Sequence, residues 1–224
     1  MGLHQKRSAP SADPRKIGEF QGAAFDDYLA ARVLLLARLP VQGAILATTA
    51  LEKYCKAVLA FRGNTSRGHL KTAHWNCLRN FDPALYNTFN QEFFALLRKC
   101  YSLRYPDELK PGYNLVLRSR ELLAELDWTA LTIHQRFHVR RADRRPALTM
   151  FDELKSKRDW RLVKDNHVLK EENRQAFIAR RSDYVYECRM LTNRTFMCVF
   201  YTIAPAPSDG RFMREGMRPG PPSH

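Results

Sequence analysis

The hydrophobic period changes once along this chain, and that change limits its fold more than any other feature. From residue 23 to about 140, apolar side chains recur at three- and four-residue steps, the period of amphipathic helices. From Trp160 onward the step becomes two, the period of strands with two unlike faces. The first stretch opens with Phe25, Tyr28, Leu29, Val33, Leu36 and Leu39 over residues 23–39. Pro40 ends that helix and starts the next, over residues 41–61, with Gly63 at the position where a helix stops in a left-handed turn. A short helix is expected over residues 69–78. Asp82-Pro83 reads as an N-cap followed by a first-turn proline, opening a helix over 83–103. Pro106 and Pro111-Gly112 break the chain before a last helix over 113–137.

After Arg141 the stretch 143–146 reads as a linker, and residues 151–157 as one or two helical turns. Residues 160–164 and 167–170 flank Asp165-Asn166, a two-residue hairpin signal. Residues 175–181, 184–191 and 195–203 read as strands, the last two joined at Thr192-Asn193-Arg194. The expected fold class is α+β: an N-terminal antiparallel bundle of four to five helices, then a small C-terminal antiparallel β-meander of four to five strands. The expected division is a disordered basic tail over 1–21, the bundle over 22–141, a linker with the meander over 142–204, and a disordered Pro/Gly-rich tail over 205–224.

The net charge is +14. Residues 1–139 hold 19 Lys/Arg against 12 Asp/Glu, and residues 140–224 hold 18 against 11. The excess is therefore spread along the chain, not gathered in one arm. A polyanion such as RNA is the partner this balance suggests. The five cysteines are scattered with no C-x-x-C pair, which excludes zinc-ribbon and thioredoxin chemistry and suits reduced thiols in a cytoplasmic protein. No apolar run approaches the roughly 20 residues of a membrane span, so no membrane partner is expected. No cofactor is expected.

Asp27-Tyr28-Leu29-Ala30-Ala31-Arg32-Val33-Leu34-Leu35, Glu52-Lys53-Tyr54-Cys55-Lys56-Ala57, the Gly63…His69-Leu70 loop and Arg104-Tyr105-Pro106-Asp107 occur in an informative order. On these residues, stretch 22–138 resembles the HEPN superfamily, a family of up-and-down helical bundles. The resemblance implies a homodimer, a nucleotidyltransferase-like partner protein in a toxin–antitoxin or defence setting, and a nucleotide or RNA ligand. It also implies, in some branches, RNA cleavage without metal by an Arg and a following His with four to six residues between them. There the Arg holds the phosphate and the His moves a proton.

Four such Arg-to-His spacings occur here, Arg62/His69 among them. With 26 Arg and seven His, chance supplies about two or three. The position that carries the catalytic pair in the nuclease branches holds Arg104-Tyr105-Pro106-Asp107, and no His follows until His134. The expectation is thus a non-catalytic module that binds nucleotide or RNA through Lys53, Lys56, Arg62, Arg67, His69 and Arg104 on a single exposed rim. The alternatives are a metal-independent endoribonuclease using Arg62 and His69, and a structural module for protein–protein contact. Tyr184, Tyr186, Phe196, Phe200 and Tyr201, with Arg180, Arg181, Arg189 and Arg194 around them, read either as a sheet core or as a base-stacking platform. His134 and His138 have metal-ligand spacing but no third ligand tied to them, so a solvated face is expected there.

Overall fold

The computed structural model describes residues 13–63, 72–136 and 149–206. It is a helix-rich α+β fold, with an N-terminal helical bundle and a three-stranded antiparallel sheet. The first two helices are α1 (Pro14–Leu36) and α2 (Pro40–Phe61). α1 begins earlier than its apolar stripe suggests. Asp13 accepts from Lys16 N–H and Pro14 takes the first turn, the same signature as Asp82-Pro83. Residues 14–21 are therefore helix, not tail, and Ile17 and Gln21 are buried.

α1 and α2 pack as an antiparallel hairpin at unusually close range. A methyl added at Gly43 would stand 2.7 Å from Leu35 Cγ and 3.2 Å from the Ala31 carbonyl. Gly43→Ala is therefore expected to cost about 1–3 kcal/mol by overpacking, despite the better helix propensity of alanine. A urea titration reads this; an unchanged midpoint would mean that the hairpin yields freely.

α3 (Thr72–Phe81) and the single turn α4 (Pro83–Tyr86) follow, then α5 (Gln91–Ser102). The expected continuous helix over 83–103 is broken at residues 87–90, because Asn90 caps a new start by accepting from Glu92 and Phe93 N–H. Thr48 of α2 donates to the Leu97 carbonyl of α5, and Trp75 of α3 stacks on Phe94 at 4.0 Å.

The expected helix over 113–137 is corrected at its start. Residues Asn114–Arg118 form strand β1, and α6 (Ser119–Arg136) begins directly after it. Leu115 and Leu117 point to one side into the core, a period of two too short to stand out from the helical pattern around it.

Beyond residue 149 come α7 (Met150–Ser156), α8 (Trp160–Val163) and α9 (Arg174–Ala179), then β2 (Asp183–Met190) and β3 (Phe196–Ile203). The hairpin expected around Asp165-Asn166 is instead a helical turn and loop, and the strand expected over 175–181 is α9. Side-chain caps decide both: Asp159 accepts from Arg161 N–H, and Asn173 from Gln175 and Ala176 N–H. The β2–β3 hairpin stands where the alternation places it. Its sheet partner is β1, in the order β1-β2-β3. The stretches 22–141 and 142–204 thus share a sheet, and they share one core. Phe151, Leu154, Leu162, Phe177 and Cys188 join the cluster built by Phe25, Leu51, Phe93 and Leu126.

A buried polar knot ties the two stretches together. Arg32 of α1 is fully buried and pairs with Asp127 of α6. It also donates to the carbonyls of Arg161 and Lys164. Tyr28 donates to Asp127 at 2.8 Å, and Asn166 donates to Tyr28 and to the Leu162 carbonyl. His167 reaches the Ala124 carbonyl at 3.0 Å. These bonds set the loop after α8 against α1 and α6.

Candidate anion-binding site

Among the described residues, the cations selected from the helical motif have separate partners, and Arg104 stands apart from the others. Lys53 pairs with Asp27 at 2.7 Å, and Lys56 with Glu52 at 2.5 Å. Arg62 caps the C-terminus of α2 beside Cys77 of α3. Arg104 lies past the C-terminus of α5, donates to the Tyr101 hydroxyl and packs on the Tyr101 and Tyr105 rings. Because Leu97 faces Thr48 while Phe94 faces α3, beside the later part of α2, α5 runs opposite to α2. Arg104 therefore emerges at the other end of that 22-residue helix from Arg62, about 30 Å away by helical rise. Arg67, His69 and His138 lie outside the described residues. His134 meets the Tyr54 hydroxyl at 3.2 Å and packs among Phe25, Tyr54 and Phe151. Among the described residues, no three His, Cys, Asp or Glu side chains gather as a metal site.

A different cluster forms where four distant segments meet. Arg38, Arg120, Lys164 and Arg181 line one cavity of about 250 Å³, with Ser119, Asp165, Asp183 and Tyr184. Each cation arrives for its own structural reason. Arg38 follows the C-cap of α1 in a left-handed conformation, φ 63°, the place glycine usually takes. Its guanidinium lies 4.0 Å from the centre of the Tyr184 ring, and Tyr184 in turn stacks on Phe200. Arg120 is in the first turn of α6, over Phe177. Lys164 is fixed by its carbonyl, which accepts from Arg32. Arg181 precedes β2. Asp165, beside Lys164, is also left-handed, at φ 50°.

Both carboxylates of the cavity have partners, though Asp183 Oδ2 makes no hydrogen bond. Asp165 pairs with Arg180 at 2.9 Å. Asp183 accepts from the Arg120 and Tyr184 N–H groups at 2.8 Å and faces Arg118 at 3.9 Å. Asp183 thereby caps α6 from a strand 63 residues away. Arg38, Lys164 and Arg181 also line the cavity. Burial lowers the Arg120 guanidinium from its ordinary value against the pull of Asp183 and Asp165, and Arg180 and Arg181 push it the same way as burial. Its Nε and the Ser119 hydroxyl are buried without a hydrogen-bond partner. A set of crowded cations with unsatisfied donors is an environment that an anion relieves.

Sequence reasoning missed this cluster because its members stand far apart in the chain. The one local signal was the run of arginines beside Tyr184. Among the described residues, no helix is long and apolar enough to cross a membrane. Comparison with protein-family models gave no match, and neither did comparison with curated proteins or with solved structures.

Proposed function

We propose that this protein binds a phosphate-bearing ligand, a nucleotide or a single-stranded RNA segment, without cleaving it, and that the cavity between Arg38, Arg120, Lys164 and Arg181 receives the phosphate. The observation that carries this reading is the charge balance there. Four cations from four chain segments line one cavity with two carboxylates, of which Asp165 pairs with Arg180 and Asp183 accepts from the main-chain N–H groups of Arg120 and Tyr184. The Tyr184–Phe200 stack beside it supplies the flat apolar surface that unpaired bases favour. The HEPN resemblance, with its nucleotidyltransferase-like partner, belongs to the same proposal and rests on the motif residues alone.

Anisotropy with a labelled single-stranded RNA oligonucleotide, in chelator, tests it. Affinity is expected to fall linearly on a log–log salt plot, with about 0.7 units of slope per phosphate contacted. Lys164→Ala with Arg181→Ala should flatten that slope by about 1.4 units, while Lys53→Ala with Lys56→Ala leaves it unchanged. The RNA should stay intact. Arg38→Gly separates binding from folding. Glycine relieves the left-handed backbone, about 1 kcal/mol, so the variant should be no less stable and yet bind more weakly. Equal slopes in all variants would refute the site.

A further inference from the structure

We infer that the outer edge of β3 is a self-association surface, where a second copy of this chain adds its own β3 in antiparallel register. The argument begins with strand polarity. Leu191 N–H bonds the Thr195 carbonyl, and the pairs 189/197, 187/199, 185/201 and 183/203 continue that register. In an antiparallel ladder, hydrogen-bonded pairs alternate with non-bonded ones. Met197, Val199, Tyr201 and Ile203 therefore direct their backbone groups at β2. Phe196, Cys198, Phe200 and Thr202 direct theirs outward. The neighbouring pair agrees, since Met190 exchanges its bonds with Gly112 and Tyr113 on the β1 side. Among the described residues nothing pairs with this outward row.

An open edge of this kind is normally protected by charge, proline or a bulge. β3, Phe-Met-Cys-Val-Phe-Tyr-Thr-Ile, has none of these, in a chain that is 27% charged. Its side chains stand in solvent on both faces: Val199 is 42% exposed and Phe200 47%.

Charge selects the occupant. A chain of net charge +14 repels its own copies over most of its surface, and β3 is a stretch where that repulsion is absent. Identical strands are also self-complementary about a twofold axis. If Val199 lies opposite its own counterpart, Phe196 meets Thr202, Cys198 meets Phe200 and Met197 meets Tyr201 across the seam. Every outward N–H and C=O then finds a partner, and no charged pair is brought together. The result is a six-stranded sheet running through both copies. A single-strand seam is at the small end of stable interfaces, about 1,200 Å², so the dimer is expected to depend on concentration.

Cysteine cross-linking of the full chain, in a Cys198→Ser background, tests the register. Directly opposed residues of a non-hydrogen-bonded pair have Cα atoms about 4.5 Å apart, within disulfide reach. Val199→Cys is expected to form a covalent dimer under mild oxidation. Met197→Cys is not, because its own counterpart lies four residues along the seam from the point opposite it. Cys198→Pro supplies the second measurement. It removes an outward N–H that the β2 pair does not use, which edge strands tolerate. It should leave the circular dichroism spectrum unchanged and make the protein monomeric in sedimentation at every concentration. Cross-linking of Met197→Cys as fast as Val199→Cys would overturn the proposed seam. So would a wild-type protein that stays monomeric at high concentration, the outcome expected if residues 207–224 or a different protein occupy the edge.

Discussion

Arg32→Ala is expected to lower the unfolding free energy by about 3–5 kcal/mol, the usual cost of leaving one member of a buried ion pair alone. The guanidinium is fully buried, and its loss strands Asp127 together with the carbonyls of Arg161 and Lys164. Tyr28 would be the remaining donor to Asp127 in that pair's place. The deficit should also depend on pH. Burial already raises the Asp127 carboxyl above its ordinary value, against the opposing pull of Arg32 and Tyr28. Without Arg32 the rise is larger. A carboxyl that binds its proton more tightly when folded favours the fold in acid, and that help disappears as pH rises through the folded-state value. The gap between variant and wild type should therefore narrow as pH falls from 7 toward 4. Urea titrations at several pH values measure it; a gap of less than about 1 kcal/mol at pH 7 would mean that the knot is hydrated.

Phe177→Ala is the second large effect, expected at about 3–5 kcal/mol. The ring is wholly buried, lies tilted against His167 at 5.4 Å and lies under the guanidinium groups of Arg120 and Arg180. α9 is a helix of only six residues, too short to hold itself, so this ring and the Asn173 cap carry its position. Because Arg120 lines the proposed anion cavity, the variant should also weaken RNA binding at temperatures where it remains folded. A thermal melt paired with anisotropy distinguishes the two losses. Full affinity in the folded variant would show that Arg120 does not depend on this support.

The long amphipathic helices and the final hairpin were legible because their periods run over many residues. Pro40, Asp82-Pro83 and Gly63 punctuate as their chemistry requires. The mistakes fall on short elements. Over five residues, Asn114–Arg118 fits helix and strand alike, and only pairing with β2 decides. In 160–180 the alternation was real but local, and Asp159 and Asn173 outweighed it by capping single turns. The start of α1 was hidden by two prolines, though Asp13-Pro14 carries a cap signature. The candidate cavity was illegible for a different reason. Arg38, Arg120, Lys164 and Arg181 share no spacing, and what unites them is that Arg32, Asp127 and Asp183 fold their segments against one another.

That dependence restricts how the molecule can be dissected. A fragment ending near residue 141 would keep Arg32 and Asp127 but lose both main-chain acceptors of the guanidinium, the covering side chain of Asn166, and the strand that flanks β1. The complementary fragment would expose Phe177 and the inner face of the hairpin. Each piece would thus expose part of a shared core, so truncation is expected to disturb the whole fold, and point substitutions are the instrument that fits.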